Sequence, residues 1–109
     1  MKNHPPSELR SVLEEEYKRL KDLSAIYRAK KNKLPKGYIS IKKINGYKYA
    51  YLSFREKDKI RSIYIGKSSS DKAAEVRRQI ESRKEYQSKL RLVNERIEEL
   101  KRLLSRSKI

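Results

Sequence analysis

The run Tyr38-Ile39-Ser40-Ile41-Lys42-Lys43-Ile44-Asn45-Gly46-Tyr47-Lys48-Tyr49-Ala50-Tyr51-Leu52-Ser53-Phe54 decides the fold. On both sides of Asn45-Gly46 the side chains alternate with a period of two, the spacing at which a strand sends successive residues to opposite faces. Asn-Gly tolerates positive φ at both central positions of a type I′ turn, so the two strands are joined by a two-residue hairpin. That turn sets Ile44 opposite Tyr47, Ile41 opposite Ala50 and Ile39 opposite Leu52. A second reversal at Lys57-Asp58 sets Phe54 opposite Arg61, Leu52 opposite Ile63 and Ala50 opposite Ile65. The two registers agree, and residues 38–67 are expected to form a three-stranded antiparallel meander. One face then carries Ile39, Ile41, Ala50, Leu52, Phe54, Ile63 and Ile65. The other carries Tyr38, Ser40, Lys42, Tyr47, Tyr49, Tyr51, Ser53, Arg55, Ser62 and Tyr64.

On either side of this segment the period changes to that of a helix. Upstream, Pro5-Pro6-Ser7 reads as a stop and a cap, and a helix is predicted over 7–33. Leu13, Leu20, Tyr27 and Leu34 recur every seven residues, with Leu9, Glu16, Leu23 and Lys30 at the companion positions of a heptad seam. Pro35 ends this helix, because the residue before a proline is pushed out of helical geometry. Downstream, Gly66-Lys67-Ser68-Ser69-Ser70-Asp71 forms an exit loop, and Ser70 or Asp71 caps a helix predicted over 71–106. Its second half has a seam at Tyr86, Leu90, Val93, Ile97, Leu100 and Leu104. Traced backwards the seam meets Arg83 and Gln79, so the first turns instead lay Ala73, Ala74, Val76 and Ile80 on the aliphatic sheet face. The expected fold class is α+β, one domain over 1–109: an N-terminal helix, the meander, and a long C-terminal helix with coiled-coil character. The distal seam needs a helical mate, which is the first helix or a second chain. A homodimer through that seam is the expectation, because the seam runs beyond what a thirty-residue sheet covers.

Composition narrows the function. In 109 residues there are 30 Lys or Arg against 14 Asp or Glu, a formal net charge of +16, and 36% hydrophobic residues. The core must therefore be thin. The absence of cysteine excludes disulfide scaffolds, zinc fingers and thiol catalysis. No stretch approaches the ~18 apolar residues of a membrane helix. Met1-Lys2-Asn3-His4-Pro5-Pro6 has no apolar signal core, so a cytoplasmic protein without a membrane partner is expected. A charge of this size favours a polyanionic partner, nucleic acid first.

No catalytic constellation emerges, and neither an enzyme nor a cofactor is expected. His4, the only histidine, sits in a proline-flanked tail. Glu14-Glu15-Glu16 point in different directions on a helix and make no metal cluster. Gly66-Lys67-Ser68 lacks the upstream glycine and spacing of a phosphate-binding loop. No Arg-His set stands ready to activate a tyrosine nucleophile. What remains is surface chemistry. Ten basic residues face five acidic ones over 1–36, eight face two over 37–67, and twelve face seven over 68–109. The sheet segment is thus the shortest, with the largest excess and the fewest acids. Its polar face interleaves five of the eight tyrosines with cations. Tyrosine rings stack on bases while cations hold phosphates. The expected nucleic-acid-binding set, for DNA or RNA, is Lys42, Lys43, Tyr47, Lys48, Tyr49, Tyr51, Arg55, Arg61, Tyr64, Lys67, Arg77 and Arg78. The opposing expectation is that cross-strand tyrosines merely stabilise a sheet. Basic residues on a long helix, here Arg77, Arg78, Arg83, Lys84, Lys89 and Arg91, more often form a solvated face, and Arg77-Arg78 and Arg83-Lys84, with fewer acids nearby, are the subset expected to make contact.

The stretch Gly46-Tyr47-Lys48-Tyr49-Ala50-Tyr51-Leu52-Ser53-Phe54-Arg55, followed by Lys59-Ile60-Arg61-Ser62-Ile63-Tyr64-Ile65, resembles a family of small bacterial and archaeal proteins of unknown function. Their pattern is a glycine, tyrosines, Leu-Ser, Arg, then Lys-x-Arg-Ser-x-Tyr, between a leading helix and a trailing one that opens with a Val-Arg-Arg-like start, here Val76-Arg77-Arg78. Many of those relatives have a cysteine-rich turn before the hairpin. Leu34-Pro35-Lys36-Gly37 stands there instead, so the resemblance implies no metal-linked role. More loosely, Ile63-Tyr64-Ile65-Gly66 followed by Ala73-Ala74 is similar to the last strand and helix start of the arm-type DNA-binding domain of tyrosine recombinases. That similarity implies DNA contact through an exposed sheet.

Two functional classes follow. The first is a non-enzymatic basic protein that binds nucleic acid through the Tyr/Lys/Arg sheet face. The alternative is a coiled-coil interaction protein, an adaptor or an inhibitor encoded by a phage or mobile element, docking on an acidic or nucleoprotein partner.

Overall fold

A computed structural model describes residues 7–106 of the chain. The expected stop at Pro5-Pro6 and the lone His4 lie outside the described residues, as does the side chain of Ser7. The elements follow in the order α1 (Ser7–Asn32), β1 (Tyr38–Ile44), β2 (Tyr47–Glu56), β3 (Lys59–Lys67) and α2 (Asp71–Arg106). The fold is α+β, a helix, a three-stranded antiparallel sheet in the order β1-β2-β3, and a long C-terminal helix. It divides into two compact units, one made of residues 31–85 and the other of α1 up to Lys30 with α2 from Tyr86 onward.

In the first unit the hairpin forms as the turn chemistry dictates. Asn45 and Gly46 both have positive φ, 51° and 84°, and Ile44 pairs with Tyr47, Ile41 with Ala50 and Ile39 with Leu52. Between β2 and β3, Phe54 pairs with Arg61 and Leu52 with Ile63 as expected. The expected pairing of Ala50 with Ile65 does not occur. A bulge between Ala50 and Tyr51 lets Tyr51 face Tyr64, Ala50 face Gly66 and Tyr49 face Lys67, with Ile65 as the extra residue. The reason is burial. Ile65 joins Ala50 and Ala73 in a buried cluster, against which Ile39, Leu52 and Val76 pack. Continued alternation would put Lys67 on that same aliphatic face, where desolvating its ammonium is costly. The bulge inserts one residue and turns the lysine to the other side.

The first turns of α2 cover the aliphatic face through Ala73 and Val76. Ser70 starts the helix: its Oγ accepts the Ala73 N–H at 3.2 Å and its carbonyl accepts the Ala74 N–H at 3.1 Å. Replacing Ser70 with Ala removes this cap and is expected to lower stability by about 1 kcal/mol, read as a lower urea midpoint at unchanged slope. At the other end of the unit, Arg83 donates to the carbonyls of Lys31 (2.8 Å) and Leu34 (2.9 Å), bracing the turn that follows α1, in which the Lys31 carbonyl also accepts the Leu34 N–H at 3.0 Å.

The second unit is an antiparallel helical pair. Arg10 donates to the Leu104 carbonyl, Ser24 to Asn94 Oδ1 at 2.9 Å, and Tyr27 meets Tyr86, so the chain directions oppose. Leu20, Ile97 and Leu100 are its buried centre, with Leu13, Tyr17, Leu23 and Val93 packed around them. Burial of each of these leucines contributes about 2 kcal/mol. The mate of the distal α2 seam is therefore α1 of the same chain. Arg19 chelates Glu16 at 2.7 and 3.1 Å, and that hydrogen bond holds the exposed carboxyl below its ordinary pKa.

Candidate nucleic-acid interface

Four cross-strand rows build the exposed face of the sheet. Lys42, Tyr49 and Lys67 form one row, and Ser40, Tyr51 and Tyr64 the next. Tyr38, Ser53 and Ser62 follow, and then Arg55 beside Ile60. Ile44 and Tyr47 close the face at the hairpin tip. None of these residues is acidic. The two acids of the sheet segment are Glu56, which pairs with Arg61 at 3.2 Å, and Asp58 in the β2–β3 turn.

The rings are held in place by one another. Tyr64 lies 5.5 Å from Tyr51, edge to face, and 6.2 Å from Tyr49, a spacing at which aromatic quadrupoles attract. The Lys42 amine stands 4.6 Å from the Tyr51 ring centre, and the Lys67 amine 5.6 Å from that of Tyr47. Beneath them runs a hydroxyl ladder. Ser53, 2% exposed, bonds to Ser40 at 2.7 Å and to Ser62 at 2.9 Å, tying all three strands together. Tyr38, Tyr47 and Tyr64 are each more than half exposed, whereas Tyr49 and Tyr51 are half-buried. Rigid rings with open faces, ringed by ammonium groups, are suited to stacking on planar groups while phosphates meet the cations.

The twelve residues expected from the sequence divide. Lys42, Tyr47, Tyr49, Tyr51, Arg55, Tyr64 and Lys67 share this face. Lys43 and Lys48 pair with each other beside the tip but point through the opposite side of the pleat, as does Arg61. Arg77 donates to the Ser68 carbonyl and hydroxyl at 3.1 and 3.3 Å, bracing the exit loop, and Arg78 pairs with Glu75 one turn back. These two arginines already have partners within the fold. The serine ladder and the turn of Lys67 onto the tyrosine face are the features that reading the sequence missed. Gly66, an isolated glycine in a strand pattern, was the available signal for the bulge. Among the described residues no three His, Asp or Glu side chains converge as metal ligands, and no helix is long and apolar enough to cross a membrane.

A helix-backed three-stranded sheet with an acid-free, tyrosine-rich basic face defines the class: a small α+β protein whose distinguishing surface is one side of its sheet. The chain belongs to the family described as a domain of unknown function, DUF6788, which matches residues 6–78. That match takes in α1, the whole sheet and the first turns of α2, so the tyrosine face lies entirely within it. No curated protein and no solved structure matches the chain.

Proposed function

We propose that this protein is a non-enzymatic, cytoplasmic nucleic-acid-binding protein that uses the tyrosine face of its sheet. One observation carries the reading: on a single exposed face, five tyrosines stand with Lys42, Arg55 and Lys67 and no carboxylate. Among the described residues, none of these three cations has an ion-pair partner, so their charge is available to a ligand. The three strands span about 10 Å, a width compatible with the DNA major groove of about 12 Å. The resemblance of Ile63-Tyr64-Ile65-Gly66 and Ala73-Ala74 to the arm-type DNA-binding domain of tyrosine recombinases points the same way.

Affinity is expected to come mainly from phosphate neutralisation. With Lys42, Arg55 and Lys67 each meeting one phosphate, log K falls against log salt with a slope of about −2.7 from these residues, steeper if others contribute. Fluorescence anisotropy with a short duplex DNA and a stem–loop RNA over a salt series measures it. Undetectable binding to both at low salt overturns the reading.

A second reading, a protein-interaction module, is favoured by a groove of about 400 Å³ on the helical pair, lined by Val12, Leu13, Glu15, Glu16, Arg19, Arg96 and Leu100. Val12 there is 58% exposed. A pull-down from native lysate with and without nuclease separates the two. Partners that survive nuclease, and survive replacement of Tyr49, Tyr51 and Arg55 by Ala, favour the second.

A further inference from the structure

The helical pair has its own aromatic and basic cluster, made of residues other than those of the sheet. Its seam is aliphatic through Leu20, Ile97 and Leu100, passes a polar pair at Ser24 and Asn94, and then turns aromatic. Tyr27 of α1 and Tyr86 of α2 meet there with ring centres 5.9 Å apart and planes inclined by 43°. One helical turn beyond each tyrosine is a lysine, Lys30 and Lys89. Each amine reaches the ring of the opposite helix. Lys30 Nζ stands 5.9 Å from the Tyr86 ring centre, and Lys89 Nζ stands 5.9 Å from that of Tyr27 and 5.6 Å from that of Tyr86.

Two ammonium groups are drawn to the same ring pair, and like charges brought together repel. A ring quadrupole offsets that repulsion only in part. Both lysines are exposed, and among the described residues neither has a carboxylate within ion-pair distance. An anion with a face that packs against tyrosine suits two amines gathered at one ring pair. We propose that Tyr27, Lys30, Tyr86 and Lys89 form a second nucleic-acid contact, in which the two lysines hold a backbone phosphate and the tyrosine pair packs against the adjoining sugar. The proposal rests on the reading that this protein binds nucleic acid, but on residues other than those of the sheet face.

The test uses the full-length protein and a short duplex DNA, with a stem–loop RNA as the parallel probe. Lys30→Gln/Lys89→Gln is compared with Lys42→Gln/Lys67→Gln and with the unaltered chain over a salt series. Loss of two phosphate-facing charges is expected to flatten the log K against log salt slope by about 1.8 and to weaken low-salt binding at least about tenfold. Lys30→Arg/Lys89→Arg is expected to restore both. An unchanged slope in Lys30→Gln/Lys89→Gln overturns the proposal, and so does a lowered melting temperature with slope and affinity intact, which marks a purely structural pair. If the sheet variant binds normally while the helix variant does not, the sheet reading fails and this contact stands. If the unaltered chain binds neither probe, both fall.

Discussion

Replacing Lys42, Arg55 and Lys67 together by Ala is expected to weaken nucleic-acid binding on the order of 100-fold or more at moderate salt. The argument is one of counting. Each contact between a charged side chain and a phosphate contributes about 1 kcal/mol or more, and three of them multiply to about two decades or beyond. Electrostatics adds a second signature: the salt slope flattens by about 2.7, so that wild type and variant converge as salt rises. Folding is expected to be preserved, because all three side chains are exposed and none is tied into the fold by an ion pair among the described residues. The measurement is a pair of salt titrations, with far-ultraviolet circular dichroism as the control for folding. An unchanged slope would show that these cations meet no phosphate. Replacing Tyr64 by Ala differs in kind. It removes a stacking surface worth about 1–3 kcal/mol per base and leaves the slope as it was, while Tyr64→Phe retains the ring and most of the affinity.

The largest expected effect on stability is at Gly37. This residue leads into β1 with φ at 129°, a region that side chains with a Cβ rarely occupy. A Cβ placed there would lie 2.2 Å from the Ser53 carbonyl oxygen and 3.1 Å from Phe54 Cβ. The first neighbour is backbone in the central strand, so relief requires β1 and β2 to move apart at the row where Tyr38 pairs with Ser53. Strain and overpacking together put Gly37→Ala at a cost of about 3 kcal/mol or more. Against a total stability of about 5–15 kcal/mol that is a large fraction. Urea unfolding reads it as a lower midpoint. A midpoint within error of wild type would mean that the strand pair yields freely at that row. Gly46, by contrast, has open space where its Cβ would be, and a substitution there meets only the backbone penalty of a turn residue.

The contrast between these two glycines explains how far the sequence carries. The hairpin was legible because Asn45-Gly46 is a local instruction: positive φ at two adjacent positions fixes the turn, and the turn fixes β1 against β2. The distal seam was legible for a similar reason, since its period needs no knowledge of the partner. Its partner was not legible: that Leu20 of α1 packs on Ile97 and Leu100 within the chain is a matter of tertiary packing. The β2–β3 register was legible only as far as Tyr51. Beyond it, burial of Ile65 and exclusion of Lys67 from the aliphatic side compete with alternation, and burial wins. The candidate site inherits that pattern. Alternation correctly gathered Lys42, the tyrosines and Arg55, yet did not place Lys67 among them. The arginines of α2 looked free because nothing local in the sequence reveals that Ser68 or the carbonyls of Lys31 and Leu34 are within reach.

The serine ladder carries a directional property. Three hydroxyls joined by two hydrogen bonds leave one proton over. Ser53 is buried and its described partners are Ser40 and Ser62, so it has nowhere else to donate. The chain of donors must therefore run one way across the sheet. Water reaches Ser62 on the exposed β3 edge more freely than it reaches half-buried Ser40, so the run that ends at Ser62 is the better solvated. The sheet thus presents, among its cations, one neutral donor aimed outward and backed by two polarising hydroxyls. Counterions do not compete for a neutral donor as they do for an ammonium, so its contribution would persist in the affinity that remains at high salt.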